Sequence, residues 1–151
     1  MQTRRNALKK SAVVAGLLAS TGMFPQFAFA FNTAAFEAKS VADALKALGA
    51  GAPAESKDVS ITAPDIAENG SVVPVGVATT LAGVKSMLIM VEKNPATLTA
   101  MFNVTDSVES AFQARVKMGQ SSDVYAIALM KDGKVLFAKK EVKVTLGGCG
   151  G

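Results

Sequence analysis

Val84-Lys85-Ser86-Met87-Leu88-Ile89-Met90-Val91 decides the fold. The run is almost wholly apolar, and it is short. A strand of this kind is predicted to be covered on both faces, because an exposed face would show alternation with polar residues. Val124 to Met130 is a second run of the same character. Lys131-Asp132-Gly133-Lys134 follows it and reads as a hairpin turn with Asp-Gly at its centre. Val135 to Phe137 and Val142 to Val144 continue extended beyond the turn.

Working back toward the N-terminus, the period stays at two. Val59, Ile61 and Ala63 alternate with Ser60 and Thr62, and Pro64 stops that strand. Asn69-Gly70 is a turn signal. Val73, Val75 and Val77 then line one face, with Pro74 among them. Proline cannot donate to a ladder, so an edge strand or a bulge is expected there. Leu98, Met101, Phe102 and Val104 form a less regular segment after Asn94-Pro95. Val108, Phe112, Ala114, Val116 and Met118 recur mostly two apart, and Gly119 to Asp123 is a turn-rich link. About six or seven short, evenly spaced strands with no helices between them predict an all-β fold. The expected form is an immunoglobulin-like antiparallel β-sandwich, with a small antiparallel barrel as the alternative.

Only one stretch departs from this period. Thr33 to Leu48 favours a helix, with Val41, Leu45 and Leu48 on one stripe, Gly49 as C-cap and Pro53 beyond it. The organisation is therefore a leader at 1–30, a helix and linker at 31–54, a β-sandwich at 55–146 and a glycine-rich arm at 147–151.

Composition narrows the function. Of 151 residues, 50% are hydrophobic, which supports a core and argues against disorder. The net charge of +4 comes entirely from Arg4, Arg5, Lys9 and Lys10. From Phe31 onward basic and acidic residues balance, so no nucleic-acid partner is expected. There is no histidine, which excludes an imidazole base and any His-ligated metal. There is a single cysteine, which excludes an internal disulfide and multi-thiolate metal sites. No metal and no cofactor are expected on this chain. Met87 and Met90 lack an accompanying histidine and read as core filling rather than a copper site. Lys139-Lys140 reads as a solvated face.

The leader has the layout of an export signal. Arg4-Arg5 precede an apolar stretch from Ala12 to Ala19, and Ala28-Phe29-Ala30 fits a small-x-small cleavage site after Ala30. The paired arginines read as a twin-arginine signal, which places the mature protein in the periplasm. The apolar run is too short for a stable membrane anchor.

The chemistry falls on Gly147-Gly148-Cys149-Gly150-Gly151. Glycine loses the most backbone freedom on ordering and brings no side chain to pack, so this stretch is predicted to be a mobile, thin arm. Five residues reach roughly 17 Å when extended. No Lys or Arg stands beside Cys149 to lower its pKa, so the thiol reads as an attachment point activated inside a partner's active site. That pattern suits a carrier of covalently held substrate. Two other readings compete. One is a structural export or assembly module that uses Cys149 only for an intermolecular disulfide. The other is a Gly-Gly carrier charged as a thiocarboxylate on Gly151, which an exported protein does not suit. Partner binding is expected on a sheet face or near Val73-Pro74-Val75, together with the helix from Thr33, from the logic of exposed edges.

The glycine-flanked Cys149, the twin-arginine leader and Ile66-Ala67-Glu68-Asn69-Gly70-Ser71-Val72-Val73-Pro74-Val75 together resemble the SoxY family of thiosulfate-oxidation carriers. The resemblance runs from leader to arm. It implies covalent attachment of sulfur intermediates at Cys149, with Gly147, Gly148, Gly150 and Gly151 as the arm. It implies a heterodimer with a second immunoglobulin-like subunit, SoxZ, exported together with it. It further implies a haem enzyme that loads thiosulfate, a dimanganese hydrolase that releases sulfate and, where present, a molybdenum-haem sulfane dehydrogenase. The chain itself would be acted on, and would not be an enzyme.

Overall fold

The computed structural model describes residues 32–146. In chain order, α1 (Thr33–Phe36) and α2 (Val41–Ala47) are followed by strands β1 (Pro53–Glu55), β2 (Val59–Thr62), β3 (Ile66–Asn69), β4 (Val73–Thr79) and β5 (Val84–Val91). Then come β6 (Leu98–Asn103), β7 (Ala111–Val116), β8 (Ser122–Met130) and β9 (Val135–Leu146).

The apolar run 84–91 forms β5, a central strand of the larger sheet, whose order is β1-β9-β8-β5-β6. Its side chains divide by parity, as a pleat requires. Met87, Ile89 and Val91 enter one core with Val73, Val75 and Val77 of the opposing sheet β2-β4-β7. Leu88 and Met90 enter a second core with Ala44 and Leu45 of α2. The two buried faces explain why no alternation is visible. β8 repeats the arrangement, with Val124, Ala126 and Ala128 in the first core and Ile127 and Leu129 in the second. The immunoglobulin-like β-sandwich expected from the sequence is what the chain adopts.

The expected single helix from Thr33 to Leu48 is two helices. Ser40 has extended backbone (φ −138°, ψ 156°) and caps α2, its hydroxyl accepting from the Asp43 amide at 3.1 Å. Asn32 caps α1 in the same way through the Ala35 amide, and its Nδ2 donates to the Ala47 carbonyl at 2.7 Å, tying the helices together. A side-chain oxygen that satisfies a helix-start amide competes with continuation of the helix before it, so Ser40 breaks the run. The stripe survives the break: Leu45 is buried, and Val41 and Leu48 pack beside it. Gly49, at φ +68°, ends α2 with the Ala50 amide on the Leu45 carbonyl and its own amide on Lys46, a Schellman closure.

Other departures are local. Strand β1 begins at Pro53, inside the stretch expected to be linker. It runs parallel to β9 as an edge, and a proline at the first position of an edge strand forfeits no ladder bond. Strand β4 is the middle of its sheet, yet β2 pairs it only from Gly76 to Thr79, so Pro74 has a strand neighbour on the β7 flank alone. Residues 98–103 form an edge strand with partly covered faces, and its register against β5 slips at Thr99, between the pairs Ile89↔Ala100 and Met90↔Leu98, which matches their irregular pattern. Val108 stands outside β7 and is exposed. At the β8–β9 turn only Gly133 has positive φ (88°), so this is a type I turn closed by a glycine bulge, with the Gly133 amide on the Met130 carbonyl. Lys139 and Lys140 are both paired, to Asp123 and Asp65, at 2.9 Å each.

Candidate functional site

The residues expected to carry function lie outside the described residues: Arg4, Arg5 and Ala30 on one side, and Gly147, Gly148, Cys149, Gly150 and Gly151 on the other. What the structure describes is the base from which Cys149 departs. That base is the end of β9.

Strand β9 is twelve residues long, the longest in the fold. Its first two thirds are held by β8, whose register ends at Ser122↔Val142. Beyond that point β9 is paired by β3 alone, in parallel, through Ile66↔Lys143, Ala67↔Val144 and Asn69↔Leu146. Beside the ladder bonds of the β3–β9 pair, four further hydrogen bonds hold this end. The Lys143 amide donates to the Asp65 carbonyl at 2.9 Å, and the Gly70 amide to the Leu146 carbonyl at 2.8 Å. The Thr145 hydroxyl donates to the Glu68 carbonyl at 3.0 Å, and the Val144 amide to the Ser121 hydroxyl at 2.9 Å. Val142 and Val144 point into the first core and anchor the strand from below. The turn after β3 is fixed by Asn69, whose Oδ1 accepts from the Ser71 amide at 2.8 Å. The Gly70 carbonyl accepts from Met118 at 2.7 Å, which joins this turn to the chain after β7.

Asn69-Gly70 was legible as a turn, but its task of bracing Leu146 was not. The two segments are far apart in sequence, and parallel pairing leaves no local signature. Ser121 and Thr145 carried no signal that distinguished them from other surface hydroxyls.

Neighbouring charges and burial shift several groups on the body. Lys139 is held above its ordinary value by its bond to the Asp123 carboxylate. Burial raises Tyr125, with Glu92 adding to the effect. Asp106 and Asp132 are lowered by Lys131 and Lys134. Among the described residues no cluster of acids suits a metal ion. A groove of about 760 Å³ is lined by Lys57, Asp58, Thr79 to Leu81 and Val108 to Ala111. It flanks the start of β7, whereas Met118 and Gly70 lie past the end of β7, so this groove is remote from the β9 terminus.

At Val73-Pro74-Val75, where a partner surface was expected, the strand has one buried face and one exposed face. Val73 and Val75 are fully buried in the first core, and Pro74 alone is exposed. The apolar side of the helices is likewise spent on the chain's own sheet.

The described residues form a two-layer sandwich whose longest strand, β9, ends at Leu146, three residues before the chain's only cysteine. The comparisons place this sandwich among sulfur-carrier proteins. The sequence pattern described as "Sulfur oxidation protein SoxY" matches residues 44–149, so the match includes Cys149. The sulfur carrier protein SoxY from Chlorobium limicola f thiosulfatophilum is 32% identical, with a TM-score of 0.61, over 68% of this chain and 92% of that one. A superoxide reductase (neelaredoxin) from Ignicoccus hospitalis matches 57% of this chain and 79% of its own at 20% identity and a TM-score of 0.51, a likeness of fold alone. No match is found among curated proteins. The chain belongs to the SoxY family of sulfur-oxidation proteins.

Proposed function

We propose that this protein is a periplasmic covalent carrier in thiosulfate oxidation, with Cys149 as the attachment point and the flanking glycines as a swinging arm. The observation that carries the reading is the SoxY match, which extends from the sandwich to Cys149 itself. The likeness to a solved sulfur carrier supports it. The twin-arginine pattern at Arg4 and Arg5, with cleavage after Ala30, supports export to the periplasm.

In this reading the Cys149 thiol and thiosulfate are joined oxidatively. The thiol loses its proton, a sulfur–sulfur bond forms, and two electrons pass to a haem-containing loading enzyme. The product is a cysteine S-thiosulfonate. Water then attacks the sulfonate sulfur in a dimanganese hydrolase, which releases sulfate and leaves a persulfide on Cys149. A sulfane dehydrogenase, where present, oxidises the remaining sulfur. The metals and haems belong to those enzymes; this chain supplies the tether and the sulfur atom. A SoxZ subunit completes the carrier as a heterodimer.

Four glycines suit this task because a thin, unbranched tether enters a narrow channel that ordinary side chains would block. The test is mass spectrometry of protein purified from cells growing on thiosulfate. Thiosulfonate and persulfide adducts are expected on Cys149, and Cys149→Ser should abolish thiosulfate turnover with unchanged folding. A functional Cys149–Cys149 dimer with turnover surviving in C149S would overturn the proposal in favour of a disulfide-linked assembly module.

A further inference from the structure

Four of the described residues are asparagines, and one of them, Asn69, precedes a glycine. The backbone nitrogen that follows an asparagine can attack its side-chain carbonyl, and a glycine nitrogen does so most readily because no side chain crowds the approach. Asn94 precedes Pro95, which has no N–H to lose. Asn32 and Asn103 precede Thr33 and Val104, whose branched side chains shield the nitrogen. Asn69 is exposed, and its Oδ1 accepts from the Ser71 amide at 2.8 Å. That bond folds the side-chain carbonyl over the next peptide and draws electron density from its carbon. The electrophile is therefore poised beside the Gly70 nitrogen. The nucleophile is not free: the Gly70 amide donates to the Leu146 carbonyl at 2.8 Å, and Gly70 is buried.

We propose that Asn69-Gly70 is a self-modification site, converted through a succinimide to aspartate and isoaspartate, and that the Leu146 carbonyl is the lock on it. The inference does not depend on what Cys149 carries. In the reaction the Gly70 nitrogen loses its proton and bonds to the Asn69 side-chain carbonyl carbon, and the side-chain nitrogen leaves as ammonia. Water then opens the ring at either carbonyl. Nothing is oxidised or reduced, and hydroxide speeds the first step by taking the proton. While the end of β9 is in place, that proton is held in a hydrogen bond and the nitrogen cannot turn toward the side chain. When the end frays, the lock opens. Fraying is local, because beyond Val142 only β3 pairs with β9. Isoaspartate routes the main chain through the former side chain and lengthens the path between Glu68 and Gly70. The pairing Asn69↔Leu146 and the Gly70 bonds to Leu146 and Met118 are set by the shorter path, so an aged chain loses this brace permanently. The site records, irreversibly, how often the end of β9 has opened.

The full chain is incubated in mildly alkaline buffer as wild type, as Ser121→Ala, as Ser121→Ala combined with Thr145→Val, and as Thr79→Val. Peptide mapping by mass spectrometry follows the exchange of the side-chain amine for a hydroxyl at each asparagine. S121A removes the acceptor of the Val144 amide, and T145V removes the bond to the Glu68 carbonyl. Conversion at Asn69 should be roughly fivefold faster in S121A and roughly twentyfold faster in the double variant, as each lost bond eases local opening. T79V loses the bonds to the Asp58 carbonyl and the Leu81 amide at the other end of β4 from Gly70. It should leave the Asn69 rate within roughly twofold of wild type. In guanidinium chloride all four proteins should convert at one fast rate, with Asn69 ahead of Asn32 and Asn103. The Gly70 amide, slow to exchange in fresh protein, should exchange rapidly in aged protein. Equal native rates in wild type and the double variant would overturn the lock. So would an acceleration in T79V equal to that in the double variant, which would assign the reaction to global unfolding. A native wild-type rate equal to the rate in guanidinium chloride would show that the Leu146 carbonyl protects nothing.

Discussion

The Gly70 amide donates to the carbonyl of Leu146 at 2.8 Å, and the Gly70 carbonyl accepts from Met118 at 2.7 Å. One residue thus ties the last described residue of the larger sheet to the chain leaving the smaller one. Hydrogen bonds therefore brace the body as far as Leu146. The bracing is uneven, though. Residues before Val142 are paired by a long neighbouring strand, whereas Val144 relies on a side chain, with its amide on the Ser121 hydroxyl at 2.9 Å.

Ser121→Ala removes that acceptor and leaves the Val144 amide unpaired. The expected loss is about 1 kcal/mol of local stability. Native-state hydrogen exchange should show the Val144 amide exchanging roughly fivefold faster, with the amides of Tyr125 and Ala126 unaffected. Uniform acceleration across β8 and β9 would show instead that the base opens only with the whole sheet.

Ser40→Ala tests why the predicted long helix is two. The Ser40 hydroxyl accepts from Asp43 and donates to its carboxylate at 2.7 Å, both at the surface. Losing the cap should cost about 1 kcal/mol. Urea unfolding should show a lower midpoint with an unchanged slope. Fusion of α1 and α2 into one helix in the variant, read as increased helical circular dichroism, would mean that the cap alone maintains the break.

The strand order was only partly legible, and the reasons differ by element. Met87 to Val91 announced burial on both sides but not which partner covered which face, because parity within a continuous apolar run looks the same from either side. Val73, Val75 and Val77 alternated cleanly and are fully or almost fully buried, since their strand has one face in the core and one outside. Strands β1 and β3 were invisible as strands. They are short, largely exposed, and pair in parallel with β9, so their stability comes from long-range ladder bonds rather than from local pattern. At the site, Cys149 and its glycines were conspicuous in the sequence, whereas the pairing of Asn69 with Leu146 joins residues too far apart in the chain to leave a local pattern.

The double-core reading of β5 predicts independence. Leu88 and Ile89 are adjacent in sequence and fully buried, in different cores. Leu88→Ala should loosen the helix-covered face and Ile89→Ala the inter-sheet face, each costing about 2–5 kcal/mol. The double variant should equal the sum of the singles within about 0.5 kcal/mol, as for sites with no shared partners. A larger coupling in urea denaturation would show that the two cores are continuous through the backbone of β5.

Tyr125 offers a titration that reads one residue, because it is the chain's single tyrosine and there is no tryptophan. Burial raises its pKa above the ordinary 10.0; the charge of Glu92 pushes in the same direction, and nearby Lys139 opposes. Lys139 sits 5.9 Å from the ring centroid. The sign follows from the neutral form being favoured in the folded state. Below pH 10 the phenol is protonated whether the chain is folded or not, and it leaves stability unchanged. As pH rises through 10.0 the unfolded chain ionises first, and stability falls until the folded pKa is passed. The phenolate absorbance of the native protein should therefore have its midpoint above 10.0, moving down to about 10 in denaturant. Glu92→Gln should lower the native midpoint, and Lys139→Met should raise it. A native midpoint at or below the denatured one would show that the ring is solvated in solution, and that the Tyr125–Phe137 contact, with centroids 5.8 Å apart, does not shield it.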